Sequence, residues 1–138
     1  MTINTKVKTY LNYIGGEWLK GKTDDLQKSM NPANNNDIVG HFQKSTREDL
    51  DKAVAAAKEA QTPWRKLAAP ERGNFLYKVA DVLESRVDDI AEMMTREMGK
   101  TFPEAKGETA RGVAILRYYA GEGMRKVGDV IPSTDKDA

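Results

Sequence analysis

The segment Thr101–Lys126, TFPEAKGETARGVAILRYYAGEGMRK, carries the clearest helical pattern in the sequence. Phe102-Pro103 leads into the predicted helix, and Gly121 and Gly123 are expected to fray or end it. The predicted helix has a charged stripe, which includes Arg111, and a separate buried stripe. We expect the preceding elements to be arranged around this helix. Its predicted buried stripe consists of Gly112, Ile115, Leu116 and Tyr119.

The first third of the chain predicts β-structure. LNYI (11–14) and EWLK (17–20) flank Gly15-Gly16, a pattern typical of a β-hairpin with a primed turn. A polar loop is expected over 20–28 and turns over 31–37, because Asn and Asp tolerate left-handed conformations. Ile38–Gln43 is predicted to be the next strand. Residues 1–9 are polar and expected to be flexible, whereas 127–131 have the pattern of a strand.

The middle of the chain predicts helices. Ser45 with Glu48 has the pattern of a capping box, and Pro63 is expected to end the helix that it opens. Pro70 predicts the start of a second helical segment. This segment is either two helices or one kinked helix, and Gly99 is predicted to end it with a left-handed cap. Apolar residues recur at helical spacing. They are Leu50, Ala53, Val54 and Ala57, then Leu76, Val79, Ala80 and Leu83, then Val87, Ile90, Ala91 and Met94.

Composition excludes several classes of function. The 138 residues suffice for one domain with a core, and the net charge of +1 selects neither nucleic acid nor anionic membrane as partner. No cysteine is present, so disulfides, thiolate metal sites and a cysteine nucleophile are excluded from this chain. No apolar run reaches the ~20 residues that span a bilayer, and no secretory signal is evident. The sequence therefore predicts a cytoplasmic protein without nucleic-acid or membrane partners.

The residues by themselves predict no catalytic centre. The sequence lacks a G-x-G-x-x-G motif, a P-loop and an H-E-x-x-H motif. The single histidine, His41, lies in a strand-like segment and is interpreted as an ordinary strand position. The acidic side chains of the long helix are interpreted as a solvated face. Four aromatic residues are interpreted as core residues rather than as ligand-stacking groups: Trp18, Trp64, Tyr118 and Tyr119.

A set of short motifs occurs in a characteristic order. These are YIGGEW (13–18), NPA (31–33), REDLDKAVAAAKEA (47–60), ERG (71–73), EMGK (97–100), EAKGE (104–108) and RYYAG (117–121). In order and spacing the chain resembles the N-terminal segment of the NAD(P)-dependent aldehyde dehydrogenase superfamily over residues 13–131. The resemblance implies an α/β protein with an aldehyde dehydrogenase-like fold, of which only the N-terminal segment is present: a β-hairpin and a strand followed by an antiparallel helical set.

The resemblance also implies a function. In this family a cysteine thiolate attacks the aldehyde, hydride passes to NAD or NADP, and the thioester is hydrolysed. Residues 1–138 are expected to end before the dinucleotide-binding motifs and to be inactive alone, with no catalytic or cofactor-binding residue. The whole enzyme is expected to act on a small-molecule aldehyde and to form a homo-oligomer, a dimer or tetramer. The alternative is a non-catalytic helical interaction module on the same scaffold, which would fold as a monomer.

Arg111 occupies a position at which the resemblance implies a residue of the substrate tunnel. Arginine at this position would offer a bidentate fork to the carboxylate of an ω-carboxylate semialdehyde, such as an oxo-acid semialdehyde. The alternative is a surface arginine paired with Glu108 at i, i+3. Sequence alone leaves both interpretations open.

The resemblance further implies a site for Na+ or K+. Its ligands would be carbonyl groups at Ser29 and Met30 and an acid at Glu97. Family members often have aspartate at the last position, so the longer glutamate departs from the pattern. The alternative is an ordinary polar loop followed by a glutamate at a helix end.

Overall fold

The computed structural model describes residues 7–125, 128–129 and 134. Residues 127, 130 and 131 of the predicted strand at 127–131 lie outside these residues, as do residues 1–6 of the segment 1–9. The described part begins with short strands and continues with helices. The strands are β1 (Thr9–Tyr10), β2 (Asn12–Ile14), β3 (Glu17–Leu19), β4 (Leu26–Asn31) and β5 (Asn34–Gln43). The helices are α1 (Arg47–Lys66), α2 (Ala69–Ser85), α3 (Val87–Met98) and α4 (Phe102–Ala120), followed by a 3-10 turn at Gly121–Met124.

Strands β2 and β3 form the predicted hairpin. They pair antiparallel, with Tyr13 opposite Trp18. Gly15 and Gly16 both adopt positive φ, 63° and 91°. Two consecutive residues with positive φ are what a type I′ turn requires, and glycine adopts them without a Cβ clash. The prediction of a primed turn is confirmed.

The second sheet has the order β1-β5-β4 and is more extensive than the sequence predicts. β1 pairs parallel with β5, and β4 pairs antiparallel with it. The predicted loop at 20–28 was wrong from Leu26 onward, and the predicted turn at 31–37 was wrong at Asn34–Asp37, since these residues belong to strands. Strands β4 and β5 pair with each other from Leu26–Gln43 to Asn31–Asn34, and this pairing satisfies backbone groups of polar residues, which outweighs their weak β-propensity.

Helix α1 begins one residue later than predicted. Thr46, not Ser45, is the N-cap, and Asp49, not Glu48, closes the capping box. The Asp49 carboxylate accepts from the Thr46 backbone N–H at 2.9 Å, and this bond is the main reason why the pKa of Asp49 is lowered. The Ser45 hydroxyl instead hydrogen-bonds the Asn12 side chain at 3.1 Å. A tertiary contact therefore decides between two adjacent capping residues.

Pro63 does not end α1, which continues to Lys66. Proline removes the one N–H that would bond to the carbonyl four residues earlier. Both Pro63 and its surroundings are exposed, so that carbonyl is accessible to water and the last turn can persist without the lost hydrogen bond.

The break after Ser85 gives two helices rather than one kinked helix. Arg86 leaves helical geometry, with φ −118° and ψ 19°, and α3 begins at Val87. Gly99 ends α3 in the left-handed region, with φ 74°, which confirms the predicted cap.

The core lies where α4 packs on α2 and α3, and it consists mainly of small side chains. The start of α2 lies on the end of α4, so these two helices are antiparallel. A Cβ at Gly73 would overlap the Ala120 carbonyl oxygen, which shows how closely the two backbones approach. The buried residues of these three helices are Gly73, Ala80, Ala91, Ala105, Thr109, Val113 and Ala120.

Several predicted core residues are exposed. On α4, Ile115 is 47% and Tyr119 59% exposed, because the close approach of the helices admits only small residues on the inner face. The aromatic residues predicted as core pack in pairs on the surface, where Tyr13 contacts Trp18 and Trp64 contacts Phe75. The other residues found exposed among the predicted core aromatics and the apolar residues at helical spacing are Trp18, Leu50, Val54, Ala57, Trp64, Val79 and Tyr118. In the described residues, no helix combines the length and apolar character needed to cross a bilayer.

Candidate functional site

Arg111 lies in the middle of α4 with its side chain exposed. Ile115 and Tyr118 follow it on the same face at i+4 and i+7 and are also exposed. At 1.5 Å per residue, the stripe from Arg111 to Tyr118 is about 10 Å long. Arg111 makes no hydrogen bond or ion pair with any residue in the described part of the chain. The Arg111 guanidinium, without a partner among the described residues, therefore lies at one end of a short apolar stripe formed by Ile115 and Tyr118.

The pair between Arg111 and Glu108, which was the alternative for this arginine, is not formed. Glu108 instead binds Lys100, whose Nζ lies 2.6 Å from the Glu108 Oε2. Lys100 lies in the linker between α3 and α4, and its side chain is 19% exposed, compared with 55% for Glu108.

Helix α4 is held against α2 by Arg117. Its guanidinium binds both carboxylate oxygens of Glu84, at 2.6 and 3.1 Å, and a carboxylate oxygen of Asp81 at 3.0 Å. The hydrogen bonds from Arg117 lower the pKa of Glu84 below its usual range. A bidentate pair has one favourable orientation, so it restricts rotation of α4 about its axis.

Tyr118, at the other end of the stripe, is held in place by Arg125. Arg125 stacks over the Tyr118 ring at 4.8 Å and donates to the Tyr118 hydroxyl at 3.3 Å. Its guanidinium also lies 2.8 Å from the Glu122 carboxylate. The Tyr118 hydroxyl accepts this hydrogen bond, so its own proton stays available for a ligand.

The residues predicted to bind a cation lie on neighbouring elements. Ser29 and Met30 are in β4, where the pairing with β5 is irregular on both sides of Met30. Glu97 is in the last turn of α3, which packs against β4, and the following Gly99 lies against Pro32.

The chemistry of these groups suits a monovalent cation. The last carbonyls of a helix lack intrahelical partners and carry a partial negative charge. The Thr95 hydroxyl, two residues before Glu97, is buried and has no hydrogen-bond partner among the described residues. Among the described residues, no group of three His, Asp or Glu side chains could hold a metal ion, so the donors here would be mainly carbonyl oxygens. Within the part of the chain that the structure describes, no hydrogen bond or ion pair connects this region with Arg111.

An ion pair near these residues was missed from the sequence. Asp37 in β5 binds Arg96 in α3 through two bonds of 2.6 and 3.0 Å, and the Asn31 side chain donates to the same carboxylate at 3.0 Å. The partners Asp37 and Arg96 are 59 residues apart, and no local pattern in the sequence connects them.

The fold and these motifs agree with comparisons to known proteins. The model of the aldehyde dehydrogenase family matches residues 18–138. The chain is 65% identical over its whole length to alpha-ketoglutaric semialdehyde dehydrogenase of Bacillus subtilis (strain 168), and 38% identical over 126 residues to malonate-semialdehyde dehydrogenase 2 of Bacillus mycoides (strain KBAB4). The chain belongs to the aldehyde dehydrogenase family.

The structural comparison gives the same family. An NAD-dependent aldehyde dehydrogenase from Sinorhizobium meliloti superposes with a TM-score of 0.81 at 27% identity, over 85% of this chain and 24% of that structure. The expected aldehyde dehydrogenase-like fold is therefore confirmed. The chain spans 28% and 26% of the length of the two curated relatives.

Proposed function

We propose that this chain is the N-terminal segment of an enzyme that oxidises an ω-carboxylate semialdehyde to the corresponding dicarboxylic acid with NAD or NADP. The observation that carries the proposal is the Arg111 guanidinium, which has no partner among the described residues and lies at the end of the exposed stripe on α4. The names of both relatives support it, since each denotes an aldehyde that also bears a carboxyl group. The Sinorhizobium meliloti neighbour supports a nicotinamide cofactor.

In this mechanism the segment binds and orients the substrate. Arg111 receives the distal carboxylate with its planar fork of donors, while Ile115 and Tyr118 contact the carbon chain. A thiolate supplied by cysteine attacks the aldehyde, and the chain described here contains no cysteine. Binding of the distal carboxylate therefore orients the aldehyde group at the other end of the substrate. The cysteine that attacks it belongs to another part of the complete enzyme.

Substitution of Arg111 tests this role. In a complete aldehyde dehydrogenase with this chain as its N-terminal segment, Arg111→Met is expected to raise KM for carboxylated aldehydes about tenfold or more relative to neutral aldehydes of the same length, because a charge-assisted bidentate pair is lost. Arg111→Lys, which keeps the charge without the fork, should give an intermediate value.

The matched control is Arg47→Met on α1, which makes the same change of charge at an arginine paired with Asp51. It should leave the ratio of the two KM values at the wild-type value. Equal loss of affinity for carboxylated and neutral aldehydes in Arg111→Met would contradict the proposal.

We further propose a structural site for Na+ or K+ formed by carbonyl groups at Ser29 and Met30 and by Glu97. The irregular pairing around Met30, the carbonyl end of α3 and the unpartnered Thr95 hydroxyl support it. Thermal unfolding of the complete enzyme should shift to higher temperature in NaCl or KCl than in tetramethylammonium chloride at equal ionic strength. Identical unfolding temperatures in all three salts would rule the site out.

We also propose that the complete enzyme assembles into dimers or tetramers. The exposed aromatic residues of the β2–β3 hairpin, Tyr13 at 61% and Trp18 at 64%, support an interface, because large apolar side chains seldom remain in water without a partner surface.

A further inference from the structure

Glu108 is the acid best placed to neutralise Arg111. The two residues are three apart on α4, a spacing at which opposite charges attract across the helix surface. The other positions within one turn of Arg111 on the same face, namely 107, 114 and 115, carry no charge. Glu104, one turn further back, already accepts hydrogen bonds from the Thr101 backbone and hydroxyl at 3.1 and 2.7 Å.

Lys100 removes Glu108 from this interaction. Its Nζ lies 2.6 Å from Glu108, and its side chain is mostly covered, which restricts where the ammonium group points. Arg111 is left without a partner among the described residues.

We propose that Lys100 is a positioning residue for substrate selection, which engages Glu108 and so keeps the Arg111 guanidinium free for the carboxylate of the substrate. This inference rests on the proposed role of Arg111. Without Lys100, Glu108 turns to Arg111, and the carboxylate of the substrate has to displace it. The effect falls on carboxylated aldehydes alone, since a neutral aldehyde does not compete with Glu108.

A double-mutant cycle in the complete enzyme tests the proposal. The quantity measured is the KM for a carboxylated aldehyde divided by the KM for a neutral aldehyde of equal length. Lys100→Met is expected to raise this ratio about two- to fivefold, the range expected for one partly exposed ion pair. Lys100→Met combined with Glu108→Gln should return to the wild-type ratio, because no acid remains to occupy Arg111. Lys100→Arg, which keeps a cation beside Glu108, should stay near the wild-type ratio.

The outcomes separate Lys100 from Arg111. If Arg111→Met raises the ratio and Lys100→Met does not, the role of Lys100 is overturned while that of Arg111 stands. If Lys100→Met raises the ratio but Glu108→Gln does not restore it, Lys100 acts through the fold and the proposal is also overturned. If neither single variant changes the ratio, both proposals fail.

Discussion

At the scale of single residues, Asp37 links the sheet to the helices. Its carboxylate is held by Arg96 and by the Asn31 side chain, and these hydrogen bonds lower its pKa to about 2. A carboxyl group with a lowered pKa stabilises the folded state above the pKa of the unfolded chain, about 3.9. That contribution is lost as pH falls from about 4 to about 2.

Asp37→Asn is expected to lower the free energy of unfolding at pH 7, because the bidentate pair with Arg96 is lost and a guanidinium is left without its partner. The difference between wild type and variant should shrink below pH 4 and be lost as the pH falls through about 2. Urea unfolding at several pH values measures both effects.

The control for this experiment is Asp51→Asn on α1, which removes a carboxylate from a more exposed ion pair with Arg47. It should change the stability little at any pH. A difference between wild type and Asp37→Asn that stays constant from pH 7 to pH 2 would show that the ion pair is not the cause.

Some single residues of the candidate site were predicted from the sequence and others were not. Arg111 was singled out by the position that the family resemblance gives it, and helical spacing placed it on the charged stripe of α4, where it is exposed. The partner of Glu108 was missed, because Lys100 lies in a linker where spacing along the chain does not define spatial neighbours. The pair of Asp37 and Arg96 was missed for the same reason.

At the scale of elements, two glycines determine how closely α2 approaches the end of α4. A Cβ at Gly73 would overlap the Ala120 carbonyl oxygen, and a Cβ at Gly123 would lie 2.5 Å from the Ala69 carbonyl oxygen. Both obstacles are backbone atoms, which cannot rotate away as a side chain does. The two elements touch through their backbones, and this contact sets the position of the segment that carries Tyr118.

Gly73→Ala is expected to destabilise the fold by about 1–3 kcal/mol, because the cost of overpacking exceeds the gain in helix propensity. The matched control is Gly107→Ala on α4, where a Cβ meets nothing within 4 Å. That change should stabilise the protein by up to about 1 kcal/mol. Urea unfolding of both variants measures the difference, and equal effects would contradict the close packing.

Element boundaries were predicted less well than the elements themselves. The turn at Gly15-Gly16 and the cap at Gly99 were correct because glycine alone adopts positive φ without strain. The start of α1 and the extent of β4 and β5 were wrong, because Ser45 and the polar residues of both strands have tertiary partners that local propensity does not include.

At the scale of the whole molecule, the described chain buries few large side chains. The outer faces of α1 and α2 expose apolar stripes, and no side chain of the β3 strand is buried. Exposed apolar surface of this extent is typical of surfaces that contact other protein, and we expect such a contact here. The exposed residues of these stripes are Leu50, Val54 and Trp64 on α1, and Phe75, Val79 and Val82 on α2.

The β2–β3 hairpin, the succession of helices after it, the family and the position of Arg111 followed from the sequence by itself, because they depend on local periodicity, glycine conformations and motifs in a set order. Strands β1 and β4 did not, because their pairing with β5 is a tertiary contact. Only the tertiary structure decided which face of α4 is inside. Its inner face is lined by Ala105, Thr109 and Val113 rather than by the larger Ile115 and Tyr119. The physical reason is that a helix pattern shows which residues are apolar, whereas the distance between packed backbones determines which of them fit.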